Sequence, residues 1–229
     1  MFNRYLKSKI DKYLKASKSI LLLGPRQTGK STLIEEYLKS VKKRALVYKL
    51  QDIDTYEEII LDPGLISRKA ETELKKGSLI LFIDEVQKIP KLMDGCQYLI
   101  DKYKEKISII LSGSSARKLR GKNVNLIPGR LFVENMHSLI IPEIMKVKEQ
   151  EILPLKVEGG EKINPSIDDL LIYGMLPKIL KENEFKRELL KSYTSTYLEE
   201  EIRMEALSRN LGLFSKFMTL SAHESGSAP

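Results

Sequence analysis

The stretch "SILLLGPRQTGKSTLIEEYLKSV", residues 19–41, restricts the fold more than any other part of this 229-residue chain. "SILLL" reads as a strand buried on both faces, and Leu33, Ile34, Tyr37, Leu38 and Val41 then recur at helical spacing. Gly24, Pro25 and Gly29 between them would interrupt either element, so the chain turns there. The turn has the spacing Gly24-x-x-x-x-Gly29-Lys30-Ser31, that of a loop whose backbone N–H groups cradle phosphate oxygens ahead of a helix N-terminus. On this reading Gly24, Pro25, Arg26, Gln27, Thr28, Gly29, Lys30, Ser31 and Thr32 form a nucleotide-binding loop. Lys30 reaches the terminal phosphates as a point charge, and the Ser31 hydroxyl ligates magnesium.

The rest of the first 140 residues repeats the strand-then-helix rhythm. "ALVYKL" (45–50), "SLILFIDE" (78–85), "ISIILSGSS" (107–115) and "RLFVENM" (130–136) read as further strands. Helices are expected near the N-terminus, where Phe2, Tyr5, Leu6, Ile10, Tyr13 and Leu14 share a face, and over 30–42, 65–76 and 97–106. Three strands are apolar throughout, as strands covered on both sides must be. The fold class expected is α/β, a doubly wound and mainly parallel sheet of the P-loop NTPase type followed by a small helical lid. Beyond residue 140 strand patterns fade. Residues 141–229 are read as a linker, centred on 156–166, and lid helices over 165–182 and 184–209, the first broken at "YGMLP".

Composition removes several alternatives. The apolar runs are far too short to span a bilayer, and the basic N-terminus has neither the apolar core nor the cleavage site of a signal peptide. One cysteine, Cys96, allows no internal disulfide and is expected as a buried packing residue in a cytoplasmic protein without a membrane partner. Two histidines and one cysteine do not make a zinc site. The net charge is +8, yet residues 1–50 hold 13 Lys or Arg against 3 Asp or Glu. Such a segment suits a polyanionic partner, nucleic acid among the candidates.

A nucleotide hydrolase needs a second metal-site acid at the end of a neighbouring buried strand, and "LILFIDE" supplies it. Asp84 would hold the metal, while Glu85 would orient and deprotonate the attacking water. A carboxylate in that position argues for ATP rather than GTP, and no Asn-Lys-x-Asp guanine-reading motif occurs. "IILSGSS" ends a strand expected between the two motif strands, so Ser114, with Ser112 as alternative, can reach the γ-phosphate or the water. Arg117, Arg120 and Arg130 follow as candidates to neutralise transition-state charge.

Together, "GPRQTGK", "DEVQKIP", "GSSA", "PGR", "YGMLP" and "TYLEEEI" resemble the prokaryotic AAA-superfamily ATPases of the AAA_14 type with a DUF4143 C-terminal region. The resemblance implies an arginine finger or sensor at Arg130 and a place near the adenine for Arg4. It also implies a longer protein, with winged-helix and nuclease-like parts past "GSAP", so a fragment or a naturally shortened member is expected. The activity expected is magnesium-dependent hydrolysis of ATP to ADP and phosphate, slow in the isolated chain. Catalysis would rest on Glu85, Lys30, Ser114 and Arg130, with Ser31 and Asp84 on Mg2+. The competing expectation is a nucleotide-dependent switch or nucleic-acid-binding module with little hydrolysis. A homo-oligomer or a protein client would complete either.

Overall fold

The computed structural model describes residues 2–114, 129–146, 165–198 and 210–225. Arg117 and Arg120, most of the expected linker and the second half of "TYLEEEI" lie outside them. Five parallel strands form one sheet: β1 (Ser19–Leu23), β2 (Arg44–Lys49), β3 (Leu79–Asp84), β4 (Ile107–Gly113) and β5 (Leu131–Asn135). Their order is β2-β3-β4-β1-β5, so β4 stands between the strands carrying the two motifs, as expected from the motif class. Every pair is parallel, which puts all strand starts at one end and all strand exits at the other.

Alternation along the strands divides the core in two. Leu21, Leu23, Leu81, Ile83, Ile109 and Leu111 point to one face and pack on α3 (Ile53–Leu61), α4 (Leu65–Leu74) and α5 (Leu92–Tyr103). Ile20, Leu22, Ile80, Phe82 and Ile110 point to the other, against α1 (Leu6–Lys15) and α2 (Lys30–Ser40). The three central strands are buried at every residue, the physical reason they read as unbroken apolar runs. β2 and β5 are edges and are largely exposed, so their sequences are mixed. Cys96 is buried in the α5 layer, and desolvation pushes its thiol up to about 12. Helix α3 had no counterpart in the sequence reading: only Ile59 on it is buried, too little for a visible stripe.

After β5 come α6 (Ile141–Ile144), α7 (Ile167–Tyr173) and α8 (Pro177–Lys181). The expected break at "YGMLP" lies between α7 and α8, where Gly174 takes a positive φ of 72° and Pro177 opens the next helix. Leu139, Ile144 and Leu170 form a third small core, with Phe2, Met175 and Leu180 against it. The chain divides into compact units at Met1–Lys181 and Glu182–Pro229. Among the described residues the last strand ends at Asn135, and the first unit runs on through α8. The second unit holds α9 (Lys186–Ser192), a wider turn over Tyr193–Leu198, and α10 (Leu211–Glu224). Among the described residues no helix is long and apolar enough to cross a membrane.

Candidate nucleotide-binding site

At the exit of β1 the chain has very little room. A Cβ on Gly24 would lie 1.9 Å from the Met136 carbonyl oxygen, and the Met136 N–H donates to Leu23 O at 2.7 Å. Only glycine passes such a contact, and its φ of +148° is one that side chains rarely allow. Gln27 (φ 63°) and Gly29 (φ 94°) are left-handed as well, and the Thr28 hydroxyl donates to Pro25 O at 2.9 Å, closing the loop on itself. Gly29 caps α2 without a side-chain acceptor, which leaves the first N–H groups of the helix for a ligand. The buried Lys30 folds across the loop, its Nζ donating to Gly24 O at 2.7 Å and Pro25 O at 2.9 Å. Arg26 and Ser31 are half-buried and Thr32 is exposed on the first turn of α2.

Asp84 ends β3 and is buried beside this loop. Its carboxylate accepts from the Ser31 hydroxyl at 2.7 Å and from the Ser112 hydroxyl. Residues 53 positions apart in sequence thus meet through two hard oxygen donors, the ligand type magnesium takes. Glu85 leaves the strand in a left-handed conformation (φ 59°, ψ 44°), so its side chain departs from the pleat that aims Asp84. Its N–H donates to Ser112 Oγ at 3.3 Å. Ser112 is fully buried and occupied between Asp84 and Glu85, which makes it scaffold, while Ser114 stands further along the strand exit.

Gln87 was not singled out by the sequence. It lies in a 3-10 turn, Val86–Lys88, that buries it, and its Nε2 donates both to the Glu85 carboxylate and to Ser114 Oγ, the latter at 3.4 Å. Its Oε1 is buried without a hydrogen-bond partner. A Cβ on Gly113 would come within 2.7 Å of that oxygen, so the glycine leaves the amide its space. The only signal was a polar side chain two places after a strand-end acid, which is faint without the turn.

Arg130 is not at this site. It precedes Leu131, which pairs with Ser19 at the start of β1, and its guanidinium bonds Asp101 on α5. Five strand residues separate it from the loop, about 17 Å at the usual rise. The residue the resemblance gave as an arginine finger or sensor therefore stands away from the loop of its own chain. Arg4 lies behind the loop: it is buried, donates to His137 O at 2.5 Å and pairs with Glu143 at 3.4 Å. Desolvation lowers its pKa, and Glu143 opposes the shift.

Residues 16–145, more than half the chain, match the family AAA_14, described as an AAA domain. The chain belongs to that family. This AAA_14 chain is therefore of the nucleotide-binding ATPase type. Residues 164–228 match a domain of unknown function, DUF8612, a different assignment from the DUF4143 region the resemblance implied. Two curated relatives are replication factor C large subunits, from Pyrobaculum calidifontis (26% identical, 77% of this chain, 45% of that one) and Pyrobaculum islandicum (25%, 80% and 46%). The chain thus spans a little under half the length of these relatives. A Walker-type ATPase of Pyrococcus abyssi shares the fold, with a TM-score of 0.58 at 17% identity over 89% of this chain and 76% of that one.

Proposed function

We propose that the AAA_14 domain binds ATP with magnesium on the loop of residues 24–32 and hydrolyses it to ADP and phosphate. The observation that carries this is the 2.7 Å bond between Ser31 and Asp84, made beside a Lys30 that spans the mouth of the loop. Two oxygen donors fit Mg2+, which keeps several waters and takes few protein ligands. The ion would supply charge neutralisation between the phosphates. Ser31 and Asp84 would hold it. Lys30 would exchange its two carbonyl partners for phosphate oxygens, and the α2 N–H groups would complete the cradle. Glu85 takes the proton from the attacking water, and Ser114 orients that water or the γ-phosphate. Arg130, turned away from its own site, would act only on a neighbouring copy. That supports slow turnover in an isolated chain.

The place of Arg130, bonded to Asp101 at the entry of β5, favours a second reading, a nucleotide-dependent switch with little hydrolysis, because the chain by itself brings no arginine from the "PGR" segment to the phosphates. A role beside nucleic acid, of the kind suggested by the replication factor names of the relatives, belongs with that reading. Calorimetric titration with ATP, with and without magnesium, together with phosphate release decides. Absence of ATP binding sinks both readings, and tight binding without turnover at any protein concentration leaves the switch.

A further inference from the structure

The parallel sheet gathers another set of residues at the end away from the nucleotide loop. Four strands are entered directly through a cation, Lys18 before β1, Lys43 and Arg44 at β2, Lys106 before β4 and Arg130 before β5, while Lys75 precedes β3 at the end of α4. Lys42, Lys76 and Lys104 stand beside them, and all nine side chains are exposed. The registers Arg44↔Leu79, Leu79↔Ile107, Ile20↔Ile110 and Ser19↔Leu131 keep Lys18, Arg44, Lys106 and Arg130 within about two residues of one line across the sheet, and Lys75 and Lys76 lie in the turn that leads into β3. Glu71, Glu73, Asp101 and Glu105 stand among them, and the first three of these are bonded to Lys102, Lys76 and Arg130 respectively.

We propose that this end of the sheet binds the phosphate backbone of nucleic acid. Five strands at about 4.8 Å make a row about 19 Å long, five or six nucleotides of one strand at 3.4 Å each. Helix ends explain part of the charge, because α1, α2, α4 and α5 all finish here and a cation relieves their terminal carbonyls. Lys43 does this, donating to Leu14 O at 3.3 Å. Helix ends do not explain the entry to β5, nor several cations per strand start. A lipid surface is the alternative the charge also suits, and the exposed apolar side chains near the strand entries, Phe132 and Val133 at the start of β5, lie on one edge strand rather than among the whole row of cations. Recognition of phosphate alone predicts binding that is insensitive to base sequence and steeply dependent on salt.

The proposal stands apart from the ATPase reading and is tested on the whole chain by anisotropy of a fluorescein-labelled 20-base-pair duplex, from low to physiological salt. The parent protein should bind. The triple variant Lys18→Gln, Lys75→Gln, Lys106→Gln should lose at least tenfold in affinity. Its slope of log K against log salt should flatten by roughly 2.7, about 0.9 for each phosphate no longer neutralised. Binding of a fluorescent ATP analogue should be unchanged, so failure of the nucleotide site registers separately. If the triple variant does not fold, each single variant should flatten the slope by about 0.9. A parent that ignores duplex at low salt overturns the proposal. So does a variant with the parental slope, or a parent that binds vesicles of acidic phospholipid and not DNA.

Discussion

The two ends of this sheet are built on opposite principles, though the same five strands deliver both. At the exits, polar groups are buried and committed: Asp84 to two serines, Lys30 to two carbonyls, Glu85 to Gln87. Each is held within hydrogen-bond reach, so chemistry there depends on sub-ångström placement and tolerates little change. At the entries, cations are exposed, and in the proposed role they would act through number rather than position. The difference teaches that one scaffold can separate a site of geometry from a surface of charge by about five residues of strand.

Single substitutions should expose that contrast, beginning with the exits. Glu85→Gln removes the basic carboxylate and keeps its shape, so phosphate release should fall about a hundredfold or more while ATP affinity persists. Unchanged turnover would show that Glu85 is not the base. Lys30→Ala deletes charge-assisted bonds worth about 1.5–3 kcal/mol, and calorimetry should record at least a tenfold loss of ATP affinity. Parental affinity would remove the loop as the phosphate site. Gln87→Ala should lower turnover about tenfold with the ATP dissociation constant unmoved, since the amide touches Glu85, the proposed base, and not the loop, and about 1.4 kcal/mol separates the two cases. If affinity and turnover fall together with thermal stability, Gln87 is only packing. At the other end Lys106→Ala should leave folding stability within about 0.5 kcal/mol by denaturant unfolding. A larger loss would mean that the entry cations are structural and the contrast between the ends is false.

How much of this was readable beforehand follows the same division. The loop of 24–32 and the Asp84–Glu85 pair were legible because each is contiguous and follows a strand buried on both faces. The order of strands could be anticipated only from the motif class, yet it decides that Ser31 meets Asp84 across 53 positions. Gln87 and the scaffolding role of Ser112 stayed hidden because they depend on a left-handed turn at Glu85 and a side-chain-free Gly113. Arg130 was read at the start of its strand, but its role as finger or sensor came only from the resemblance, and the sequence did not say that a strand start lies away from the loop. Lysines at the strand entries looked like scattered solubilising charge until parallel pairing put them in a row.

The contact between Gly24 and residue 136 has a consequence for how this protein can change over time. The partner of Gly24 is a main-chain carbonyl, which every amino acid at 136 would supply. A saturation library should therefore be sharply one-sided. Position 24 would accept nothing but glycine, whereas position 136, buried in an apolar layer, would accept a range of apolar side chains. Drift at 136 is possible because the loop reads its backbone and not its identity, so the geometry of the nucleotide loop can be inherited unchanged through lineages whose sequences around it diverge.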